Sequence, residues 1–344
     1  MQRQLHKKIF SKTFSMDKIK TTKTYLQAIN SALLEEMEKD KKIIILGEDI
    51  GIYGGAFGVT QGLLERFGPE RVIDTPISEN SIVGVAIGSA LAGLRPILEI
   101  MFMDFITLAM DQIVNHLTKF RYIYGGQTKL PVVIRTAAGG GKGYGPSHSQ
   151  SLESWFMHVP GLKIAVPSNP HDAKWLLKTA INDFNPWLFI ENKKLYAIEG
   201  EVGSKIGTPV GKANIVRSGR DCTVITYSRM TRECLSAIDA MGEKKFSIEV
   251  IDLRTLSPLD TETIYSSIRK TKCAIIVEED CKTSGVGAEI SARIMEKCFR
   301  VLSRPVLRLA GCDTPIPASI ELEEAFFPNA GKIIKTIRKY LGKD

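Results

Sequence analysis

The chain has 344 residues, of which 44% are hydrophobic and 24% are charged, and its formal net charge is +8. This length predicts two domains, and the composition is that of an ordinary soluble globular protein. The first 23 residues hold seven basic residues against Asp17 alone, which leaves a net charge of only +2 on the rest. A folded basic face for nucleic acid is therefore not expected. No apolar run approaches the roughly 18 residues of a membrane span, so no membrane-spanning segment is expected either.

The basic segment at residues 1–22 is kept outside the predicted fold. It contains Ser and Thr and has no acid before Asp17, which is typical of an organelle transit peptide. The alternative is an upstream extension, with Met16 as the original first residue. The first interpretation predicts a mitochondrial or plastid protein, and the second a bacterial cytoplasmic one.

Helical and strand-like segments alternate from residue 23 to residue 195. The predicted helices are "TTKTYLQAINSALLEEMEKD", with a Thr available as its cap, "ITLAMDQIVNHLTKFRYI" and "PHDAKWLLKTAIND". The predicted strands are "KKIIILGEDI", "RPILEIMF", "LPVVIRTA", "LKIAVPS" and "PWLFIEN". Continuous apolar strands separated by helices predict a mostly parallel sheet that is covered on both faces.

A second α/β series follows residues 196–212, where the residue composition and pattern change. That segment is rich in glycine, lacks periodicity and is predicted to be an interdomain linker. Residues 213–344 again alternate strand-like and helical segments, from "CTVITYS" and "TRECLSAIDAM" to "CAIIVEED" and "GAEISARIMEKCF". This pattern predicts a smaller doubly wound domain.

A glycine-rich segment, "AAGGGKGYGPSHSQ" at residues 137–150, follows one predicted strand. It fits G-x-G-x-x-G in no register, and no Ser or Thr follows Lys142 as a Walker loop requires. The segment is either a flexible loop or a backbone that approaches a ligand closely. Because open α/β sheets bind ligands at the carboxyl ends of their strands, His148 is a candidate active-site residue, with a structural histidine as the alternative. His158, in an apolar setting, is interpreted as a core histidine.

Glu79 stands between the turn "RVIDTPIS" and the apolar helix "NSIVGVAIGSALAGL". Free N–H groups and the helix dipole favour a carboxylate there, so a helix cap is one interpretation of Glu79. Gly84, Gly88 and Gly93 each lower the intrinsic stability of the helix by up to about 1 kcal/mol relative to Ala. Such a helix suits close packing against another backbone or a ligand, as at a subunit interface.

Longer strings are similar to one enzyme family. They are "GEDIGIYGGAFGVTQGLLERFGPERVIDTPISE", "GLRPILEIMFMDFITLAMDQIVN", "HSQSLESWFMHVPGLKIAVPSNPHDAK", "VIDLRTLSPLD" and "IIVEED". They resemble the beta subunits of the thiamine-diphosphate-dependent 2-oxo acid dehydrogenases, the decarboxylating first component of the pyruvate, acetoin and branched-chain complexes. The resemblance implies an α/β fold with two doubly wound domains, a transketolase-like pyrimidine-binding domain followed by a transketolase C-terminal-like domain.

The resemblance also implies roles for individual residues. Glu79 matches the glutamate that hydrogen-bonds N1′ of the cofactor's aminopyrimidine ring and promotes the tautomer that activates the thiazolium carbon. Phe105 matches an aromatic residue that stacks on the aminopyrimidine, and Glu48 matches an acid near the same ring. His148 matches a histidine near the substrate and the incoming lipoyl group, where it would stabilise charge and transfer a proton. The resemblance further implies a structural potassium ion, mostly on backbone oxygens, at Val132, Ala180, Ile181, Asp183 and Asn185.

The sequence lacks the "GDG" string through which thiamine enzymes bind the metal of the diphosphate. The resemblance therefore implies that magnesium is held by a separate alpha subunit and that the thiamine diphosphate site is shared between chains. The implied assembly is a heterotetramer of two alpha and two beta chains with a beta–beta contact. A dihydrolipoyl acyltransferase core, whose lipoyl arm collects the acyl group, is the further implied partner.

Several functions stay open on the sequence alone. Pyruvate is the first expectation because "TPISEN", "TYSRM" and "RKTKCAIIVEE" are similar to pyruvate-type subunits, whereas "KFRYIYGG" and "HSQSLESWF" fit acetoin-type subunits equally well. Branched-chain 2-oxo acids are the third substrate class. A non-catalytic assembly subunit and a self-contained transketolase-like enzyme are the rival classes of function.

Overall fold

A computed structural model describes residues 21–203, 207–242 and 246–342. The first unit contains β1 (Thr21–Thr24), β2 (Ile43–Gly47), β3 (Val72–Asp74), β4 (Arg95–Ile100), β5 (Val133–Ala138), β6 (Lys163–Ala165), β7 (Trp187–Asn192) and β8 (Glu199–Val202). Its helices are α1 (Tyr25–Lys39), α2 (Leu63–Phe67), α3 (Glu79–Leu91), α4 (Phe120–Ile123), α5 (Glu153–Met157) and α6 (Pro170–Asn182). A 3-10 helix (Met103–Ala109) and a π-helix (Gln112–Leu117) lie between β4 and α4.

A seven-stranded sheet forms the centre of the first unit. Its order is β12-β6-β7-β5-β4-β2-β3, where β12 (Thr255–Ser257) comes from the second unit. All neighbouring strands are parallel except β12, which runs antiparallel to β6. Every residue of β2, β5 and β7 is buried. The prediction of a mostly parallel sheet covered on both faces is therefore confirmed.

Two helices on this sheet begin where their capping residues predict. Thr24 accepts a hydrogen bond from the backbone N–H of Gln27, whose side chain accepts one from the N–H of Thr24, so α1 begins with a complete capping box. At the start of α6, Asn169 accepts from the N–H of Asp172, and Pro170 occupies the first helical position. The two helices pack against each other on one face of the sheet.

The single amphipathic helix predicted over "ITLAMDQIVNHLTKFRYI" is wrong. The structure divides this segment into the 3-10 helix, the π-helix and the short α4. The hydroxyl of Thr107 donates to the carbonyl of Asp104 at 2.8 Å, and that of Thr118 donates to the carbonyl of Val114 at 2.9 Å. Such side-chain bonds to the backbone compete with a regular helix. Each change of helix type redirects the side chains that follow.

The second unit is a smaller α/β layer. Its strands are β9 (Asn214–Arg217), β10 (Cys222–Thr226), β11 (Ile248–Asp252), β12, β13 (Ala274–Cys281) and β14 (Leu307–Gly311). Its helices are α7 (Ser228–Met241), α8 (Thr261–Thr271), α9 (Val286–Cys298), a 3-10 turn (Phe299–Val301), α10 (Ile320–Phe326) and α11 (Ala330–Leu341). The sheet order is β14-β13-β10-β11-β9, parallel except for β9.

Helices cover both faces of this second sheet. Val224 belongs to the apolar cluster that contains α7 and α11, whereas the next residue, Ile225, belongs to the cluster that contains α8 and α9. Because successive side chains of a strand point to opposite faces, the two helix pairs lie on opposite sides. The predicted doubly wound architecture is confirmed for this unit.

The connection between the units begins later than the sequence pattern indicates. Strand β8 lies inside the predicted linker and pairs antiparallel with β1, in a register that joins Thr21 to Val202 and Thr24 to Glu199. The glycine at position 200 masked this strand, because glycine is depleted in strands. Within the part of the chain that the structure describes, no helix is long and apolar enough to cross a membrane.

Candidate functional site

The candidate site lies at the carboxyl edge of the first sheet. Strands β2, β3, β4, β5 and β7 run parallel, so all of them end at this edge. The segments that follow them carry, in that order, Glu48, Glu79, Phe105, His148 and Lys193. The fold therefore gathers the four predicted cofactor and catalytic residues at the edge where parallel sheets bind ligands.

Glu79 is the first residue of α3 and is 6% exposed. The preceding Ser78 holds the N-cap position, and among the described residues no group donates a hydrogen bond to the Glu79 carboxyl. The backbone N–H of Ser78 donates instead to Oε1 of Glu48 at 3.4 Å. Burial raises the pKa of Glu48, and the charge of Glu79 raises it further. Glu79 is thus a buried acid whose carboxyl is available to a ligand, with a second acid beside it.

An aromatic cluster surrounds the imidazole of His148. Its ring centroid lies 5.0 Å from that of Phe102 and 5.1 Å from that of Phe105, both edge to face. Phe102 also meets Tyr144 at 6.1 Å between centroids. The Oγ of Ser147 lies 3.0 Å from Nδ1 of His148, a hydrogen bond whose direction depends on the histidine tautomer. The structure places Phe105 and His148 in direct contact, and α3 packs on the 3-10 helix that carries Phe105.

Residues 139–150 form the loop that carries His148, called here the His148 loop. Four of its glycines have positive φ angles of 83°, 90°, 70° and 78°: Gly139, Gly141, Gly143 and Gly145. Side chains of the second unit hold this backbone. The N–H of Gly140 donates to Oε1 of Glu279 at 3.0 Å, and that of Gly143 donates to Oε2 of Glu323 at 2.8 Å. The glycine-rich segment is therefore an anchored loop, and both units build the site.

Two members of the cluster were missed in the sequence. Phe102 touches the His148 ring, and Lys193 donates a hydrogen bond from Nζ to the backbone carbonyl of His148 at 2.5 Å. Both residues follow strands that end at the site, and this position was the signal that could have identified them. His158, by contrast, is exposed, so its interpretation as a core histidine was wrong.

Large apolar side chains lie exposed around Glu79. Ile52, Tyr53 and Ile77 are 84%, 77% and 84% exposed, and they belong to the loops that carry Glu48 and Glu79. The outer face of α3 continues this surface: Val85 is exposed, and a Cβ added at Gly88 would meet no atom within 4 Å. Single exposed apolar residues are common, but several of them on the segments that carry site residues are typical of a surface covered by another chain.

The residues of the implied potassium site lie near the end of α6 and the starts of β5 and β7. Arg95 donates to the carbonyl oxygens of Ile181 and Asp183, and Arg121 donates to Oδ1 of Asn185. The carbonyl of Val132 accepts from a backbone N–H at 2.9 Å, and that of Ala180 accepts at 3.3 Å. Two guanidinium groups thus contact the oxygens that a cation would need. No group of three or more His, Cys, Asp or Glu in the described ranges is placed to hold a metal ion.

Comparisons with known proteins match both units. The transketolase pyrimidine-binding domain family matches residues 21–199, and the transketolase C-terminal domain family matches residues 211–333. A solved structure titled "Split gene transketolase, inactive beta4 tetramer" aligns with a TM-score of 0.76, covering 93% of this chain and 98% of that one. Its sequence identity is 23%, so it supports the fold alone.

Curated relatives match over nearly the whole chain. "Pyruvate dehydrogenase E1 component subunit beta-2, mitochondrial" of Oryza sativa subsp. japonica is 42% identical, covering 92% of this chain and 85% of the relative. "Pyruvate dehydrogenase E1 component subunit beta" of Porphyra purpurea is 45% identical, covering 90% and 94%. "Acetoin:2,6-dichlorophenolindophenol oxidoreductase subunit beta" of Cupriavidus necator is 42% identical, covering 91% and 95%.

Proposed function

The chain belongs to the beta subunits of the thiamine-diphosphate-dependent 2-oxo acid dehydrogenases, and on that premise we propose that it supplies the pyrimidine half of a shared site that decarboxylates pyruvate. The observation that carries the proposal is the buried Glu79 carboxyl, which accepts no hydrogen bond from a described residue. Phe105 and His148 lie at the same sheet edge, where open parallel sheets bind ligands.

Each residue would have a separate task. When bound, thiamine diphosphate supplies the electron sink for loss of carbon dioxide. Glu79 would bind N1′ of the aminopyrimidine and exchange a proton there, with Glu48 beside it. Phe105 would present an aromatic surface to the ring, because rings pack well at offset or edge contacts. His148 would stabilise charge and transfer a proton when the acyl group moves to the lipoyl arm.

The other half of the site would come from an alpha subunit. The sequence has no "GDG" string, so magnesium and the diphosphate would be bound by that second chain. Support comes from the exposed apolar residues Ile52, Tyr53 and Ile77 and from the glycine-bearing outer face of α3. We propose an assembly of two alpha and two beta chains with a beta–beta contact, docked on a dihydrolipoyl acyltransferase core. A bacterial cytoplasm is the proposed compartment, with a mitochondrial matrix or plastid as the alternative.

Acetoin is the second candidate substrate. The relative from Cupriavidus necator, whose name specifies acetoin, is 42% identical, the same identity as the pyruvate-type relative from rice. Branched-chain 2-oxo acids are the third candidate. The choice among them would depend on side chains of both subunits at the substrate pocket.

Potassium would bind near Asp183 only after a rearrangement. Each carbonyl oxygen has a second lone pair, but Arg121 would have to leave Oδ1 of Asn185. We assign this ion no catalytic step. Its binding would raise the thermal midpoint of the chain in potassium chloride above that in choline chloride at equal ionic strength, and equal midpoints would exclude it.

The function is tested by reconstituting this chain with an alpha-like subunit from the same genome. Decarboxylation is followed with an artificial electron acceptor, thiamine diphosphate and magnesium, with pyruvate, acetoin or a branched-chain 2-oxo acid. We expect activity from the pair with pyruvate and none from this chain alone. Glu79→Gln should lower kcat by at least about 100-fold, as loss of a proton-transfer group does. Glu70→Gln, an exposed acid on the preceding turn, is the matched control.

Each outcome separates the candidate functions. Activity of the isolated chain would favour a self-contained transketolase-like enzyme. An active Glu79→Gln pair would indicate that Glu79 is only an acid at the start of a helix. A pair that is inactive on pyruvate but active on acetoin would change the substrate and keep the site. A pair that assembles but is inactive on every substrate would indicate a non-catalytic assembly subunit.

A further inference from the structure

Lys193 is a buried cation at the site. It is 2% exposed, and its Nζ donates to the carbonyl of His148 at 2.5 Å. The same ammonium lies 5.0 Å from the ring centroid of Phe102 and 5.8 Å from that of Tyr144. Among the described residues no carboxylate forms an ion pair with it, although other buried cations in the chain, such as Arg135, do.

Burying an ammonium without a paired carboxylate is unfavourable, so other contacts must offset that free-energy cost. Burial lowers the pKa of Lys193 to about 8, and the partial compensation comes from acids on three neighbouring elements. They are Asp104 in the 3-10 helix, Glu279 in β13 and Glu323 in α10, while Lys142 in the His148 loop lowers the pKa further. The ammonium is held by aromatic faces, one carbonyl and a diffuse negative field.

The position of Lys193 links it to His148 rather than to substrate. Among the described residues, the only hydrogen bond of its ammonium goes to the His148 backbone, and the side chain extends from the end of β7, a central strand of the sheet. Phe102 contacts both the ammonium and the imidazole. Lys193 is fixed to β7 at one end and hydrogen-bonds the His148 backbone at the other. It is therefore placed to hold the His148 ring between Phe102 and Phe105.

We propose that Lys193 is a positioning residue for His148, whose backbone it holds so that the imidazole stays between Phe102 and Phe105. The consequence for the reaction rests on the proposed function, because only there does His148 act in acyl transfer. The contact between Lys193 and His148 does not depend on that function, so the two parts are tested by different measurements.

The first measurement follows the imidazole directly in the full-length chain. Histidine carrying ¹³C at Cε1 is incorporated, and the His148 resonance is identified as the one that His148→Gln removes from the five histidine signals. Lys193→Met is the test variant, because methionine has a long, unbranched side chain like that of lysine but carries no charge. Lys297→Met is the matched control, since Lys297 is an exposed lysine of α9. We expect Lys193→Met alone to shift or broaden the His148 resonance. An unchanged resonance would overturn the proposal.

The second measurement uses the reconstituted pair. Lys193→Met should lower kcat for transfer to the lipoyl domain by about 10- to 100-fold, because small misplacements of a reacting group have effects of this size. The KM for the 2-oxo acid should change less than about twofold, since a positioning role gives Lys193 no part in binding the substrate. Lys193→Arg should restore part of kcat. An unchanged kcat, or a rise in KM alone, would contradict positioning.

The pH profile separates positioning from mere packing. In the wild-type pair, kcat should decline on the alkaline side as Lys193 loses its proton near pH 8. That limb should be absent in Lys193→Met and displaced to higher pH in Lys193→Arg. Identical limbs in all three proteins would overturn the proposal. A wild-type pair without activity on any 2-oxo acid would reject the proposed function, and the His148 resonance would still decide the link to Lys193.

Discussion

Arg135 donates to both carboxylate oxygens of Glu191, from Nε to Oε1 at 2.7 Å and from Nη2 to Oε2 at 3.0 Å. Its Nη1 donates to Oε2 of Glu99 at 2.7 Å, and the hydroxyl of Tyr196 donates to Glu191 at 2.9 Å. Burial acts to lower the pKa of Arg135, but the two carboxylates raise it above its ordinary value, so the guanidinium stays charged. This network ties β4, β5 and β7 together beneath the candidate site.

Arg135→Met should destabilise the chain strongly. Removing the guanidinium leaves the charges of Glu99 and Glu191 buried without their partner, a change that costs about 3–5 kcal/mol in comparable pairs. The measurement is the urea midpoint of unfolding, followed by circular dichroism. Arg300→Met, at an exposed position, should change the midpoint little. Similar midpoints for the two variants would show that the network contributes nothing to stability.

Glu278→Gln should make the chain more stable relative to wild type as the pH rises. Burial raises the pKa of Glu278 from 4.5 to about 8, so between these values the folded chain binds a proton that the unfolded chain has released. The contribution of Glu278 to the stability of the wild type therefore falls with pH in this window, by up to about 1.4 kcal/mol per pH unit, and glutamine removes that contribution.

Urea midpoints of Glu278→Gln and wild type at pH 5 and pH 8 test this prediction. The urea midpoint of Glu278→Gln relative to that of the wild type should rise from pH 5 to pH 8. The relative midpoint of Glu296→Gln, at an exposed acid, should not. A difference that stays constant with pH would mean that Glu278 titrates in its ordinary range.

Gly88→Leu should impair assembly without impairing the fold. A Cβ at Gly88 meets no atom within 4 Å, and its φ is not positive, so the isolated chain can accept a side chain there and gain helix propensity. If the outer face of α3 is the interface with an alpha subunit, the added side chain will separate the two backbones. Size-exclusion chromatography of the mixed subunits should show reduced complex, while Lys297→Leu on the exposed face of α9 should not. Normal complex formation by Gly88→Leu would place that interface elsewhere.

Glu323→Ala should loosen the His148 loop. The buried Glu323 accepts the N–H of Gly143 at 2.8 Å, and a hydrogen bond to a charged group contributes about 1.5–3 kcal/mol. Freed of this contact, the loop should open more often and expose Lys142 to trypsin. Faster cleavage after Lys142 is expected relative to wild type and to Glu324→Ala, an exposed neighbour. Equal cleavage rates would indicate that the remaining contacts, among them those of Glu279 and Lys193, hold the loop without Glu323.

The sequence predicts the elements with strong local signals and misses those set by distant contacts. The cap at Thr24 and the apolar runs of β2, β4, β5 and β7 depend on neighbouring residues, so they were recognisable. Strand β1 depends on a partner strand at residues 199–202, and no local sequence pattern predicts it. The interrupted helix after β4 carries a helical apolar pattern that side-chain bonds to the backbone override.

The residues of the candidate site fall into the same two groups, those with a local sequence signal and those without one. Glu79 and His148 stand out because a turn or a glycine-rich loop precedes each of them. Lys193 does not, since a lysine after a strand is ordinary until the fold buries it against His148. The anchoring of the His148 loop by Glu279 and Glu323 joins residues more than 130 positions apart, and only the tertiary structure reveals it.

Strand β12 belongs in sequence to the second unit and in space to the sheet of the first. Its pairing with β6 means that a gene truncated at the connection would not yield an intact N-terminal half. The shortened product would lack one edge strand and present the backbone of β6 as an unpaired template, which invites aggregation. The two halves are therefore a poor pair of modules for recombination, and chimaeras between family members should exchange residues 255–257 together with the first unit.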